Sequence, residues 1–276
     1  MKLSAINIRR LDAAIAHWSE WTPPPIAEPV MTSRLGGLTN LSFLVTDGNA
    51  CWVVRLNNDI NDSGINRQHE LTAITAAHHA GIAPRVVCSE HDFFITEFLS
   101  GNSPSLEDIA EIGLLFTKIH SLNVSTQPLD LLAHLKAYHL QAYSQQIKPD
   151  KDVADCYGRV MALSKPKITT HVLCHQDLTL QNMIKVKDRI VAIDWEYVRQ
   201  SDPAYDLAVF TYTQELNQEQ SSELLHSYSR NEPELTARIA YFERVYAMIE
   251  IFWWLIRGKK INIRKLQSLL DAGQLT

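Results

Sequence analysis

One change of pattern constrains the fold of this chain more than any other. Up to about Ser100 the sequence is rich in β-formers, and from Gly101 onward it is mainly helical in its spacing. Within the first part, "NLSFLVTDGNACWVVRL" holds two β-rich runs joined by Asp47-Gly48-Asn49, a hairpin signal. Ile8, Leu11, Ile15 and Trp18 come before it at helical spacing, and Pro23-Pro24-Pro25 stops that helix. Asn66 to Ala80 reads as a second helix closed by Gly81, followed by short strands at Arg85–Cys88 and Phe93–Phe98. Beyond Gly101, Ile109–Ser121, Leu131–Gln146 and Asp152–Leu163 carry helical periodicity. Strands near His171–Cys174 and Arg189–Ile193 interrupt them, and helices then run from Asp206 to near the end. The expectation is an α+β chain of two unequal lobes with a cleft between them. Residues 1–100 form a small β-rich N-terminal lobe and residues 101–276 a larger, mainly helical C-terminal lobe.

Composition excludes several functions. Of 276 residues, 46% are apolar and 21% charged, enough for a packed core. The formal charge of −5 argues against a nucleic-acid partner, which calls for an excess of Lys and Arg. It leaves room for one small polyphosphate held by a few local cations. No run approaches the roughly 20 apolar residues of a membrane helix. The N-terminus carries Asp12 and lacks a continuous apolar core, so no membrane partner and a cytoplasmic location are expected. Cys51, Cys88, Cys156 and Cys174 are scattered and read as reduced, mostly buried residues.

The densest polar cluster in an apolar setting is "HVLCHQDLTLQNMIKVKDRIVAIDWE", His171–Glu196. A strand through Val172–Cys174 delivers His175, Asp177 and Asn182, and a second strand ends in Asp194 and Glu196. Asp177, Asn182 and Asp194 can then converge. One carboxylate would accept a hydroxyl proton, while an amide oxygen and the other carboxylate would offer hard oxygen ligands to Mg²⁺. This is the equipment of phosphoryl transfer, in which positioning and charge neutralisation do most of the catalysis.

"HQDLTLQN" followed by "IDWE" resembles the catalytic loop and metal segment of the protein-kinase-like fold. More narrowly, the chain resembles the choline/ethanolamine kinase and aminoglycoside phosphotransferase family, close to bacterial choline kinase and thiamine kinase. "LGGLTN" (Leu35–Asn40) is similar to the nucleotide loop of choline kinases, and "DPAYDLA" (Asp202–Ala208) to the helix start after the metal segment. The resemblance implies ATP and Mg²⁺ as cofactors, Asp177 as the catalytic base and Asn182 and Asp194 as metal ligands. It places Gly36, Gly37, Thr39 and Asn40 at the nucleotide. Arg55 would anchor the phosphates, held by Glu70 on the next helix, where protein kinases carry a strand lysine. Backbone groups of Glu97, Phe98 and Leu99 in "FFITEFLSG" would bind adenine. His175 would buttress the catalytic loop, and Asp206 would hold it through backbone N–H groups.

The acceptor is less tightly constrained. In "MIEIFWWLIRGKK", apolar residues with Trp253 and Trp254 at helical spacing are core by default. The family resemblance instead makes one Trp, with Tyr197 or Tyr205, an aromatic wall for a cation, with Glu250 or Glu196 as counter-charge. The function this implies is transfer of the γ-phosphate of ATP to a small cationic alcohol. Choline is first, thiamine the alternative, and an aminoglycoside or a kinase-fold binding protein without turnover further alternatives. The oligomeric state stays open between monomer and homodimer. His69, His78, His79, His120, His134 and His139 follow no metal-ligand template and read as surface or packing residues.

Overall fold

A computed structural model describes residues 4–36, 40–57, 65–167, 170–230 and 234–272. Helix α1 (Ala5–Ala16) forms because Leu11, Ala14 and Ile15 share one buried face and Ser4 caps the first turn. A five-stranded antiparallel sheet follows, from β1 (Val30–Leu35), β2 (Leu41–Thr46), β3 (Cys51–Leu56), β4 (Val86–Ser89) and β5 (Phe93–Glu97), with α2 (Arg67–His79) between β3 and β4. Spatial order is β1-β2-β3-β5-β4. The expected hairpin joins β2 to β3. Asp47 Oδ1 accepts the Asn49 and Ala50 N–H groups, and Gly48 supplies the positive φ of 89°.

Side-chain alternation decides what faces where. Phe43, Val45, Trp52, Val54, Leu56 and Ile95 are buried in one apolar cluster with Leu11 and Ile15 of α1. Arg55 has the opposite parity on β3 and therefore points to the other side of the sheet, where α2 lies. Asn66 caps α2, accepting the His69 N–H. The buried positions of α2 are Glu70, Ala73, Ile74 and Ala77, the spacing of a single helical face. Three of them join the larger apolar cluster, and the fourth is a carboxylate.

The segment after β5 is pinned to the second part of the chain. Asn102 and Lys185 exchange backbone hydrogen bonds, 3.2 and 2.8 Å. A Cβ on Gly101 would stand 2.4 Å from the Lys185 carbonyl, so only glycine allows this approach. Helices α3 (Ile109–His120), α4 (Leu131–Ser144) and α5 (Lys151–Met161) come next, then β6 (Val172–Cys174), β7 (Met183–Val186), β8 (Arg189–Ala192) and β9 (Arg199–Ser201). Helices α6 (Pro203–Gln214), α7 (Gln218–Ser227), α8 (Leu235–Ile256) and α9 (Ile263–Ala272) follow. The two strands expected around the polar cluster do not pair with each other. β6 pairs with β9 and β7 with β8, two ribbons that leave the loop between them free to project.

Helix α6 starts at Pro203, three residues before the expected start at Asp206. Asp202 caps it and Pro203 occupies the first turn, where its missing N–H costs nothing. Asp202 also forms a buried ion pair with Arg238 of α8. Helix α8 is apolar on most of its circumference because it runs through the core between α4 and α6. Among the described residues, no helix is long and apolar enough to cross a membrane. Cys156 and Cys174 are buried as expected, but Cys51 is exposed, because it sits at the rim of the sheet.

Candidate active site

The loop after β6 is held from behind. Asp206 Oδ2 accepts the His175 N–H and its Oδ1 accepts the Gln176 N–H, both at 2.7 Å. Gln176 has φ of 73°, a left-handed conformation that costs a non-glycine residue about 1–2 kcal/mol. The Asp206 bonds are therefore what the local backbone lacks by itself. His175 is buried against Trp195 and donates from Nε2 to the Ile193 carbonyl at 3.0 Å. Burial lowers its pKa, which favours the neutral ring and suits a support better than a reacting acid.

Asp177, Asn182 and Asp194 meet in front of that support. The β7–β8 ribbon brings them together, with the Ile193 N–H donating to the Asn182 carbonyl at 2.9 Å. Asn182 Nδ2 donates to the Asp177 carbonyl and carboxylate at 2.8 and 3.0 Å, which turns its amide oxygen the other way. Asp194 follows β8 in a left-handed conformation, φ 62° and ψ 60°. Burial, and then the charge of Asp194, pushes the Asp177 pKa up to about 7. Burial and Glu196 also raise that of Asp194, against the opposing pull of Arg55. Both carboxyls are thus in a site that resists a second negative charge without a cation. Two carboxylates and a free amide oxygen are the donor set a hard divalent ion prefers, so the residues fit Mg²⁺.

The far wall of the cleft carries the positive charge. Arg55 reaches Glu70 at 2.6 Å and Asp194 at 3.1 Å. Burial works against its charge, but Glu70, Asp194 and Glu196 outweigh that and raise its pKa. Arg67, which the sequence reading passed over, bridges Glu70 at 2.8 Å and Glu196 at 3.1 Å. Its place three residues before Glu70 on one helical face is the signal that could have found it. Two guanidinium groups thus face the three carboxylates of Glu70, Asp194 and Glu196.

Other expectations change. Glu196 was expected among the acceptor contacts, but its buried carboxylate is taken up by Arg67 and by Asn40 Nδ2 at 2.9 Å. Asn40 thereby ties the segment before β2 to the turn after Asp194. Gly36 meets no atom within 4 Å of a built Cβ, and Gly37 and Thr39 lie outside the described residues. In the segment between the parts, the Glu97 N–H is committed to the Arg85 carbonyl and the Phe98 N–H to Cys51, at 2.9 and 3.0 Å. A base edge would therefore meet Leu99 and the carbonyls rather than all three N–H groups.

A second cluster, from α6 and α8, sits beside Asp177. Tyr246 feels the charges of both Asp177 and Glu250, and its ring meets Tyr212 at 5.6 Å and Tyr205 at 6.3 Å. Glu250, one turn along α8, has the Tyr212 hydroxyl and the Trp254 indole beside its carboxylate, where they favour its charge against burial. Tyr205 is 4% exposed, so it supports this cluster from the core. Trp253 takes neither role cleanly, because its ring is half-buried and covered by the Arg257 guanidinium at 3.7 Å. Tyr197, in the turn after Asp194, is half-buried.

The model of the phosphotransferase enzyme family matches residues 31–241, which include every residue of the loop, the metal segment and the facing cations. The chain belongs to the phosphotransferase enzyme family. Within that family it is similar to the protein LicA of Haemophilus influenzae, 27% identical over 216 residues, covering 71% of this chain and 62% of that one. It is also similar to ethanolamine kinase 2 of Mus musculus, 24% identical, covering 84% of this chain and 67% of that one. The fold of this phosphotransferase-family chain matches the choline kinase LicA of Streptococcus pneumoniae with a TM-score of 0.79 at 19% identity, over 96% and 98% of the two chains. A spectinomycin phosphotransferase matches at a TM-score of 0.64 and 13% identity, over 94% of this chain and 92% of that one. The architecture is the two-lobed kinase-like α+β fold.

Proposed function

We propose that this chain transfers the γ-phosphate of ATP to the hydroxyl of a small cationic alcohol, choline first. The observation that carries the reading is the convergence of Asp177, Asn182 and Asp194 opposite Arg55. Asp177 accepts Asn182 Nδ2 on Oδ2, which leaves Oδ1 to orient the acceptor hydroxyl and draw its proton. The Asn182 amide oxygen and the Asp194 carboxylate would hold Mg²⁺, which when bound neutralises phosphate charge. Arg55, aimed by Glu70, would grip two phosphate oxygens in its fork. Asp206 and His175 keep the loop in register while the charge moves.

The acceptor reading rests on the second cluster. A carboxylate flanked by Tyr212, Tyr246 and Trp254 can hold a quaternary ammonium by charge and by ring faces, about 0.5–2 kcal/mol per ring. The Streptococcus pneumoniae neighbour is a choline kinase and the mouse relative an ethanolamine kinase, which supports the same class. Thiamine, a cation with flat rings and a primary alcohol, is the alternative that the aromatic faces favour. The test is an ATP-consumption panel with choline, ethanolamine, thiamine and an aminoglycoside, on the wild type and Asp177→Ala. Turnover with a cationic alcohol, lost by about 10²-fold or more in Asp177→Ala with nucleotide binding retained, is the expected result. Normal turnover in that variant would overturn the assignment, and nucleotide binding without any turnover in wild type would favour a binding protein.

A further inference from the structure

The support of the catalytic loop does not end at Asp206. His120, the last residue of α3, places Nε2 3.1 Å from Asp206 Oδ2, the oxygen that also accepts the His175 N–H. Asp206 Oδ2 is an acceptor there, so Nε2 faces it as the donor and Nδ1 is left as an acceptor. Tyr228, just past α7, lies with its hydroxyl 2.8 Å from that Nδ1. Tyr228 and Asp206 are 0% exposed and His120 3%, so water cannot replace these bonds. Cys174 Sγ is also nearby, but it donates to the Ser201 and Asp202 carbonyls and leaves the carboxylate to His120.

We propose that Tyr228 is a positioning residue for the phosphoryl transfer assigned above, acting through His120 and Asp206 on the backbone of His175 and Gln176. The hydroxyl fixes the tautomer and the plane of the His120 ring. The ring fixes the rotamer of the Asp206 carboxylate, and both carboxylate oxygens then hold the loop whose next residue is Asp177. The left-handed Gln176 is the reason this matters. A strained residue keeps its conformation only while its surroundings over-determine it.

A second observation shows that α3 and α7 are built for this contact. A Cβ on Gly113 of α3 would come within 2.6 Å of the Ser227 Cβ and 2.9 Å of the Leu224 carbonyl. Glycine there lets the helices approach until Tyr228 reaches His120. Arg230 adds a bond from Nη1 to the His120 carbonyl at 2.8 Å, which holds the end of α3 in place.

The experiment compares Tyr228→Phe with Leu224→Ala, a neighbouring core change that leaves the hydrogen bond intact. Three readings are taken: kcat against KM for ATP and the best acceptor, thermal midpoint, and amide exchange of the peptide over residues 174–178. Tyr228→Phe is expected to lower kcat about tenfold with KM for ATP within about twofold, and to speed exchange of that peptide. Leu224→Ala is expected to lower the midpoint more and kcat less. In a His120→Gln background, Tyr228→Phe should add no further loss. Unchanged kcat and exchange in Tyr228→Phe, or equal kcat loss in Leu224→Ala, would overturn the proposal. Because this role rests on the kinase reading, the arms separate the two. Absence of wild-type turnover sinks that reading, and the exchange comparison still decides whether Tyr228 holds the loop.

Discussion

Arg55 on β3 touches Asp194, 139 residues later, at 3.1 Å. The same guanidinium is held from behind by Glu70 at 2.6 Å. A cation clamped between a buried glutamate and a candidate metal ligand is placed for phosphate oxygens. Arg55→Ala is expected to raise the KM for ATP by at least tenfold, the value of one or two charge-assisted hydrogen bonds. Arg55→Lys should fall between, because an ammonium cannot make the forked contact. Steady-state kinetics at varied ATP checks this, and equal KM values in all three proteins would refute it.

Glu196 joins Asn40, just before β2, to Arg67 of α2. Glu196→Gln keeps the shape and removes the charge. It is expected to weaken nucleotide binding several-fold while leaving the KM of the acceptor unchanged, because it holds Asn40 and Arg67, beside the Arg55–Glu70 pair. Calorimetric titration with a non-hydrolysable ATP analogue reads the first effect. A selective rise in acceptor KM would restore Glu196 to the acceptor site.

Glu250 titrates in an unusual setting. Burial raises its pKa above 4.5, with Tyr212 and Trp254 opposing. A carboxyl whose pKa is raised in the folded state stabilises the fold below its unfolded pKa, and that contribution is lost as pH rises through the folded value. The thermal midpoint of Glu250→Gln minus wild type should therefore increase between about pH 4.5 and 8. A cationic acceptor should raise the wild-type midpoint at pH 8 and raise that of the variant less. A difference constant with pH would count against a strained carboxylate.

Gly101→Ala tests the pinning of the inter-lobe segment. The new methyl would stand 2.4 Å from a backbone carbonyl, which cannot rotate away. The expected cost is about 1–3 kcal/mol, visible as a lower denaturation midpoint, with Asn102 released from Lys185. An unchanged midpoint would mean that this approach is not under constraint.

Much of this was legible in the chain itself, for identifiable reasons. The Asp47-Gly48-Asn49 hairpin, the α2 face and the caps at Asn66 and Asp202 depend on neighbours a few residues away. The strands β7 and β9 were not legible, since Met183–Val186 is broken by Lys185 and Arg199–Ser201 is polar throughout, whereas the equally short β6 and β8 carry continuous apolar runs. Asp177, Asn182 and Asp194 stood out because they cluster within one short, otherwise apolar stretch.

By itself, the sequence determined the two-part architecture and the polar loop. Periodicity and spacing encode these, and they act over a few residues. Only the tertiary structure brought Glu196 to Asn40, 156 residues away. Only the tertiary structure also made His120 a support for Asp206, 86 residues on, and gave His120 the Tyr228 hydroxyl. A lone histidine or tyrosine on a helix carries no local mark of its partner. The partner is chosen by which buried donors and acceptors the packed core leaves to satisfy one another.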